Sequence, residues 1–229
     1  MRSSGEPVIA NQANQTCRVS LATLAGFGFC VFLLALLFSF IATPWTTLPF
    51  WKVFRRCVSI SAAFSLWLFI RKLERRPLRS YGLSEPKAGK REFWFGVLLG
   101  GGVLCLLFGA YLVFGVCQVR ITQDLPRLWR TVGGCIPLMV LVGLLEELVF
   151  RGFILQHLLA CSKGLAVVCS SALYALVHLK AAALDLAVWY ELVGLFLLGA
   201  VLALSYLLTH QLYLAVGLHA VLAYGARVN

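Results

Sequence analysis

The run from Val19 to Ala42 contains no charged residue, and about 20 apolar residues are enough for a helix to cross a bilayer. It exceeds the h-region of a secretory signal, so it reads as a retained first span. In hydrocarbon every backbone N–H and C=O must be satisfied within the protein, which restricts a spanning chain to helices or a closed barrel. Further apolar segments follow at Phe54–Ile70, Phe93–Cys117, Thr131–Ala160, Leu165–Leu179, Leu184–Leu208 and Leu212–Ala226. None alternates in polarity as barrel strands do. The expected fold class is therefore all-α, a polytopic transmembrane helix bundle of seven or eight helices, the number depending on a break at Gly152. Residues 1–18 read as a polar N-terminal tail and 19–229 as one integral membrane domain, with N-terminal helices over 19–117 and a more polar set over 131–229. Composition agrees: 61% of residues are hydrophobic and 13% charged, against about 45–50% and about 25% in soluble domains.

The formal net charge of +11 is not spread as a nucleic-acid-binding face would be. Arg71, Lys72, Arg75, Arg76, Arg79, Lys87, Lys90 and Arg91 fall in one stretch between apolar segments. Such a stretch is expected on the cytoplasmic side, which puts the N-terminus there too and Gln118–Arg130 opposite. Lys52, Arg55 and Arg56 then fall on the far side, against the rule. The same loop could attract anionic lipid headgroups. The cysteines form no C-x-x-C pair and mostly lie in apolar runs, so they are expected to be small apolar helix residues rather than a metal or disulfide framework.

Charges at membrane depth carry most of the functional information. An Arg, Lys or Asp at a helix centre costs about 2.5–3.5 kcal/mol on the translocon scale. Glu146, Glu147 and Arg151 nevertheless interrupt an apolar segment. Glu147 and Arg151, four apart, would share a helix face in the order that favours an ion pair. Glu146 is turned about 100° away, which leaves one carboxylate for chemistry. His178 follows Tyr174 by four residues, and His219 lies in the last apolar segment. Converging in a buried polar pocket, Glu146, His178 and His219 could activate a water and return its proton to a leaving amine, or hold a zinc ion. Taken singly, each has a structural explanation in helix packing; together they mark a functional site. His157 and His210, near segment ends, read as interfacial, and Asp185 and Glu191 as acids at a helix start.

These residues carry a family resemblance. Glu146-Glu147-x-x-x-Arg151, Tyr174-x-x-x-His178 and His219 in Gly-Leu-His-Ala resemble the CPBP family, which includes the type II CAAX prenyl proteases and Abi-type bacterial membrane proteins. The resemblance covers about Pro137 to Tyr224. It implies a glutamate-type intramembrane endopeptidase whose catalytic helices lie within 131–229. Glu146 would be the general base, acting on water with His178, and His219 would polarise the scissile carbonyl. Glu147, Arg151 and Tyr174 would support them. No cofactor and no metal are implied. The implied partners are the lipid bilayer and a membrane-embedded or lipidated protein or peptide substrate, one form being a C-terminal sorting signal. The implied location is a multi-pass protein of a bacterial cytoplasmic membrane. Two positions depart from the family pattern: Tyr174 replaces its usual Phe, and Ala223 replaces the Asn or Asp four residues after the last histidine. Ala223 favours an alternative, a catalytically impaired scaffold or immunity protein. A transporter would also use buried Glu, Arg and His, but no inverted repeat is evident.

Overall fold

A computed structural model describes residues 6–83, 86–118, 124–179 and 185–228. Their regular structure is helical, with no strand among the described residues. Four helical stretches are long and apolar enough to cross a membrane: Gln12–Trp45, Phe50–Glu74, Gly89–Val113 and Leu186–Thr209. The all-α, polytopic class and the count of seven or eight helices agree with the sequence reading. Two apolar helices, Lys163–His178 and Tyr213–Ala226, are shorter. The chain divides into two compact units, each built from two stretches of sequence.

The first unit comprises Met1–Ser80 and Val149–Ala200. Helix α1 (Glu6–Ala42) reaches back into the polar segment before Val19. Pro44 and Pro49 then break the helix and reverse the chain, since proline lacks the N–H that would continue it. Helix α2 (Phe50–Leu68) returns antiparallel to α1: Ala35 packs with Val53 and Cys57, and the Ser65 hydroxyl meets the Cys30 sulfur at 3.5 Å. This register carries the end of α2 back to the start of the Val19 run. A π-helical turn, Phe69–Glu74, extends α2. It stops at Arg75, in the left-handed region with φ 53°, whose N–H bonds the Ile70 carbonyl at 2.8 Å. Phe27, Phe69 and Phe153 form an aromatic cluster with centroids 4.9–6.1 Å apart.

The rest of this unit holds α5 (Gln156–Leu159), α6 (Lys163–His178) and the first part of α7 (Leu186–Thr209). Asp185 starts α7 by accepting the Val188 N–H at 2.9 Å, the N-terminal role expected of it. The cysteines depart from expectation. Cys17 and Cys161 form a disulfide across 144 residues of sequence. Cys161 lies in the turn after α5, outside any apolar helix, and the pairing depends on tertiary contact that no spacing rule can read.

The second unit comprises Tyr81–Leu148 and Val201–Asn229. It contains α3 (Pro86–Val113), α4 (Leu125–Glu147), the end of α7, and α8 (Tyr213–Val228). The buried α8 packs against both α3 and α4. Backbones meet where side chains are missing. A Cβ on Gly217 would lie 2.2 Å from the Phe93 carbonyl oxygen, and one on Gly96 would lie 2.3 Å from that of Leu214. Small residues permit such approach between membrane helices.

Candidate active site

In the second unit, α4 ends on the acidic pair and α8 brings a histidine to it. The His219 Nδ1 lies 2.6 Å from the Glu147 Oε1. Its Nε2 lies 3.6 Å from the Glu146 Oε2. The two carboxylates differ sharply in environment: the Glu147 side chain is 0% exposed and that of Glu146 27%. One turn earlier on α4, Gly143 lies against the α8 backbone at Val216 and Ala220, which holds α8 close enough for the short Glu147–His219 contact. Donation of Nδ1–H to Glu147 fixes the imidazole and directs Nε2 toward the more accessible carboxylate. A buried carboxylate orienting a histidine beside a second, wetter carboxylate is an acid–base arrangement.

In the first unit, Arg151 sits on a π-helical segment, Leu148–Leu155, that replaces the expected regular α-helix. It is 1% exposed. One of its terminal nitrogens donates to the Gly199 carbonyl at 3.0 Å. Its guanidinium lies 4.8 Å from the Tyr174 ring centroid and 5.8 Å from that of Phe150. Gly199 lies tight against Ser171, one turn before Tyr174, which places its carbonyl for this contact. The rings of Tyr174 and His178 lie 4.4 Å apart. The His178 Nδ1 lies 2.8 Å from the Tyr174 carbonyl. Donation there makes Nε2 the basic nitrogen of the neutral ring. Glu146, Glu147 and His219 are thus brought together in one unit, and Arg151, Tyr174 and His178 in the other.

Comparison with known proteins bears on the same stretch. Residues 128–224 match the sequence model of the family described as type II CAAX prenyl endopeptidase Rce1-like. This segment is similar to the CAAX-protease family. All six motif residues, Glu146, Glu147, Arg151, Tyr174, His178 and His219, fall inside the Rce1-like segment. At the level of the family the activity is that of a protease, and the four apolar helical stretches fit a membrane protein. No curated protein and no solved structure matches the chain.

Some features of the site escape sequence reasoning. The cation–aromatic packing of Arg151 on Tyr174 and its bond to Gly199 were not foreseen, although Tyr174 was placed beside His178. The direct Glu147–His219 contact joins two helices far apart in sequence, which residue spacing does not relate. His157, expected to be interfacial, pairs with Glu74 at 3.0 Å; His210 is exposed at the left-handed end of α7. Among the described residues, no three His, Cys, Asp or Glu side chains are grouped as metal ligands would be.

Proposed function

We propose that the chain is a glutamate-type intramembrane endopeptidase that hydrolyses a peptide bond in membrane-anchored or lipidated proteins. The observation carrying this reading is the buried Glu147–His219 pair beside the more exposed Glu146, inside the Rce1-like segment. Glu146 takes a proton from water, which attacks the scissile carbonyl. His219, held at Nδ1 by Glu147, acts in its doubly protonated form and donates from Nε2 toward the developing oxyanion. At 3.6 Å the Glu146–His219 contact exceeds a normal hydrogen bond, so a water or carbonyl oxygen can be exchanged into it at small cost. The proton held by Glu146 then passes to the leaving amine. His178 is assigned to water activation by its place in the motif, and its Nδ1 bond to the Tyr174 carbonyl supports a basic Nε2. Arg151 and Tyr174 are positioning residues.

The substrate is proposed to be a prenylated or otherwise membrane-anchored peptide, one form being a C-terminal sorting signal. The proposed location is a bacterial cytoplasmic membrane. Ala223, one turn beyond His219 on α8, favours a second reading as an impaired, scaffold-like relative. Expression of the native chain and of Glu146→Gln at equal levels, with tagged membrane-anchored substrates, separates the two. A shortened product seen only with the native chain supports the protease. A phenotype preserved in Glu146→Gln, with no shortened product, supports the scaffold.

A further inference from the structure

At one end of the first unit, the start of the Val19 run and the end of α2 enclose an open groove of about 430 Å³. Val19 and Leu73 give it apolar walls, and Ser20 and Thr23 add hydroxyls. Glu74, Arg76 and His157 complete it. The His157 ring meets acceptors at both nitrogens: the Phe153 carbonyl at 3.1 Å from Nδ1 and the Glu74 carboxylate at 3.0 Å from Nε2. An imidazole donates to both only when doubly protonated. Glu74 also lies 3.8 Å from the Arg76 guanidinium.

Arg76 lines this groove, and its near neighbours in sequence Arg71, Lys72, Arg75 and Arg79 are exposed as it is. Glu74 is the only acid among residues 71–79, and it is engaged with His157. The cluster therefore keeps a strong positive charge where the apolar stretch Phe50–Glu74 stops. One turn deeper, Trp67 is 50% exposed and lies under the Arg71 guanidinium at 5.8 Å. Long basic side chains lay their stems along apolar surface and present their charge at the interface in this way.

We infer that this end of the unit is a headgroup site for an anionic phospholipid. The phosphate meets Arg75 and Arg76, the polar part of the headgroup lies along Ser20 and Thr23, and the acyl chains run past Leu73 and Trp67. Charge complementarity and position at the end of a membrane-length helix select a lipid over a soluble anion. The site is independent of the proteolytic reading.

The test titrates the purified full-length chain, in a neutral detergent, with dioctanoyl phosphatidylglycerol, dioctanoyl phosphatidylcholine and inorganic phosphate, and follows bound lipid by native mass spectrometry. Phosphatidylglycerol should bind at least about tenfold more tightly than phosphatidylcholine, and each basic residue removed in Arg75→Gln/Arg76→Gln should weaken it roughly fivefold. Should that variant fail to fold, Thr23→Trp decides: it fills the groove while keeping every cation, and it has to abolish the preference for phosphatidylglycerol. Equal affinity for the two lipids, or undiminished phosphatidylglycerol binding in the folded variants, overturns the inference. Displacement of phosphatidylglycerol by equimolar inorganic phosphate does so too, since it would make this a simple anion site.

Discussion

Replacement of Gly217 by Ala tests how α8 presents His219. The added Cβ would lie 2.2 Å from the Phe93 carbonyl oxygen and 3.1 Å from the Val97 nitrogen. Close C···O contacts between packed backbones run at about 3.3–3.6 Å, so α3 and α8 must part by about 1 Å. Residues 217 and 219 lie about 200° apart on the helix. Helix α8 therefore cannot simply retreat from α3, because His219 on its other side already stands 2.6 Å from Glu147. Overpacking of this kind costs about 1–3 kcal/mol, partly offset by a helix-propensity gain of at most about 1 kcal/mol. Gly101 is the control on α3. Its Cβ would meet nothing within 4 Å, so Gly101→Ala keeps only the propensity gain. Thermal unfolding in detergent should place Gly217→Ala below the native protein and Gly101→Ala at or above it, about 1–3 kcal/mol apart. Gly96→Ala, on the same interface, should follow Gly217→Ala. A Gly217→Ala protein as stable as Gly101→Ala would refute the reasoning.

Other perturbations have equally direct readouts. Glu147→Ala leaves the buried His219 without its acceptor; unfolding should become easier by about 1–3 kcal/mol, and substrate processing should be lost. Tyr174→Leu removes the ring under Arg151 and should destabilise the protein by about 1–2 kcal/mol in chemical denaturation; an unchanged midpoint would mean that the ring contact contributes nothing. Breaking Cys17–Cys161 by paired Ser substitution should cost about 2–4 kcal/mol. After the free thiols of isolated membranes are blocked by alkylation, Cys17 and Cys161 should take up maleimide only once the sample is reduced, and their failure to label after reduction would contradict the bond. Ala223→Asn restores the polar residue of the family pattern and should raise the processing rate; no gain would show that another group already fills that role.

Much of the fold was legible because the bilayer imposes a single rule. An uncharged run such as Val19–Ala42 has few structural options, and α1, α2, α3 and α7 follow the apolar segments closely. The candidate site was legible for the complementary reason: Glu146, Glu147, Arg151 and His219 are costly in an apolar helix and stand out against it. Which partners they take was not legible. A π-helical segment begins at Leu148 and changes the pitch on which Arg151 sits, which apolar spacing does not show. Side-chain spacing also cannot identify the glycines that matter. Gly101 and Gly102 face open space, whereas the closest backbone contacts fall at Gly96 and Gly217. The Cys17–Cys161 bond and the Glu74–His157 pair join distant stretches of sequence, and local periodicity carries no information about either.

The central claim is that Glu146 makes water the nucleophile of a peptide hydrolysis. The most direct measurement reconstitutes the purified chain in liposomes with a membrane-anchored peptide in water enriched in oxygen-18, and reads the products by mass. The account predicts one cleavage, a heavy oxygen in the new carboxylate, and loss of both in Glu146→Gln while the variant unfolds at the native temperature. Cleavage that persists in Glu146→Gln would contradict it.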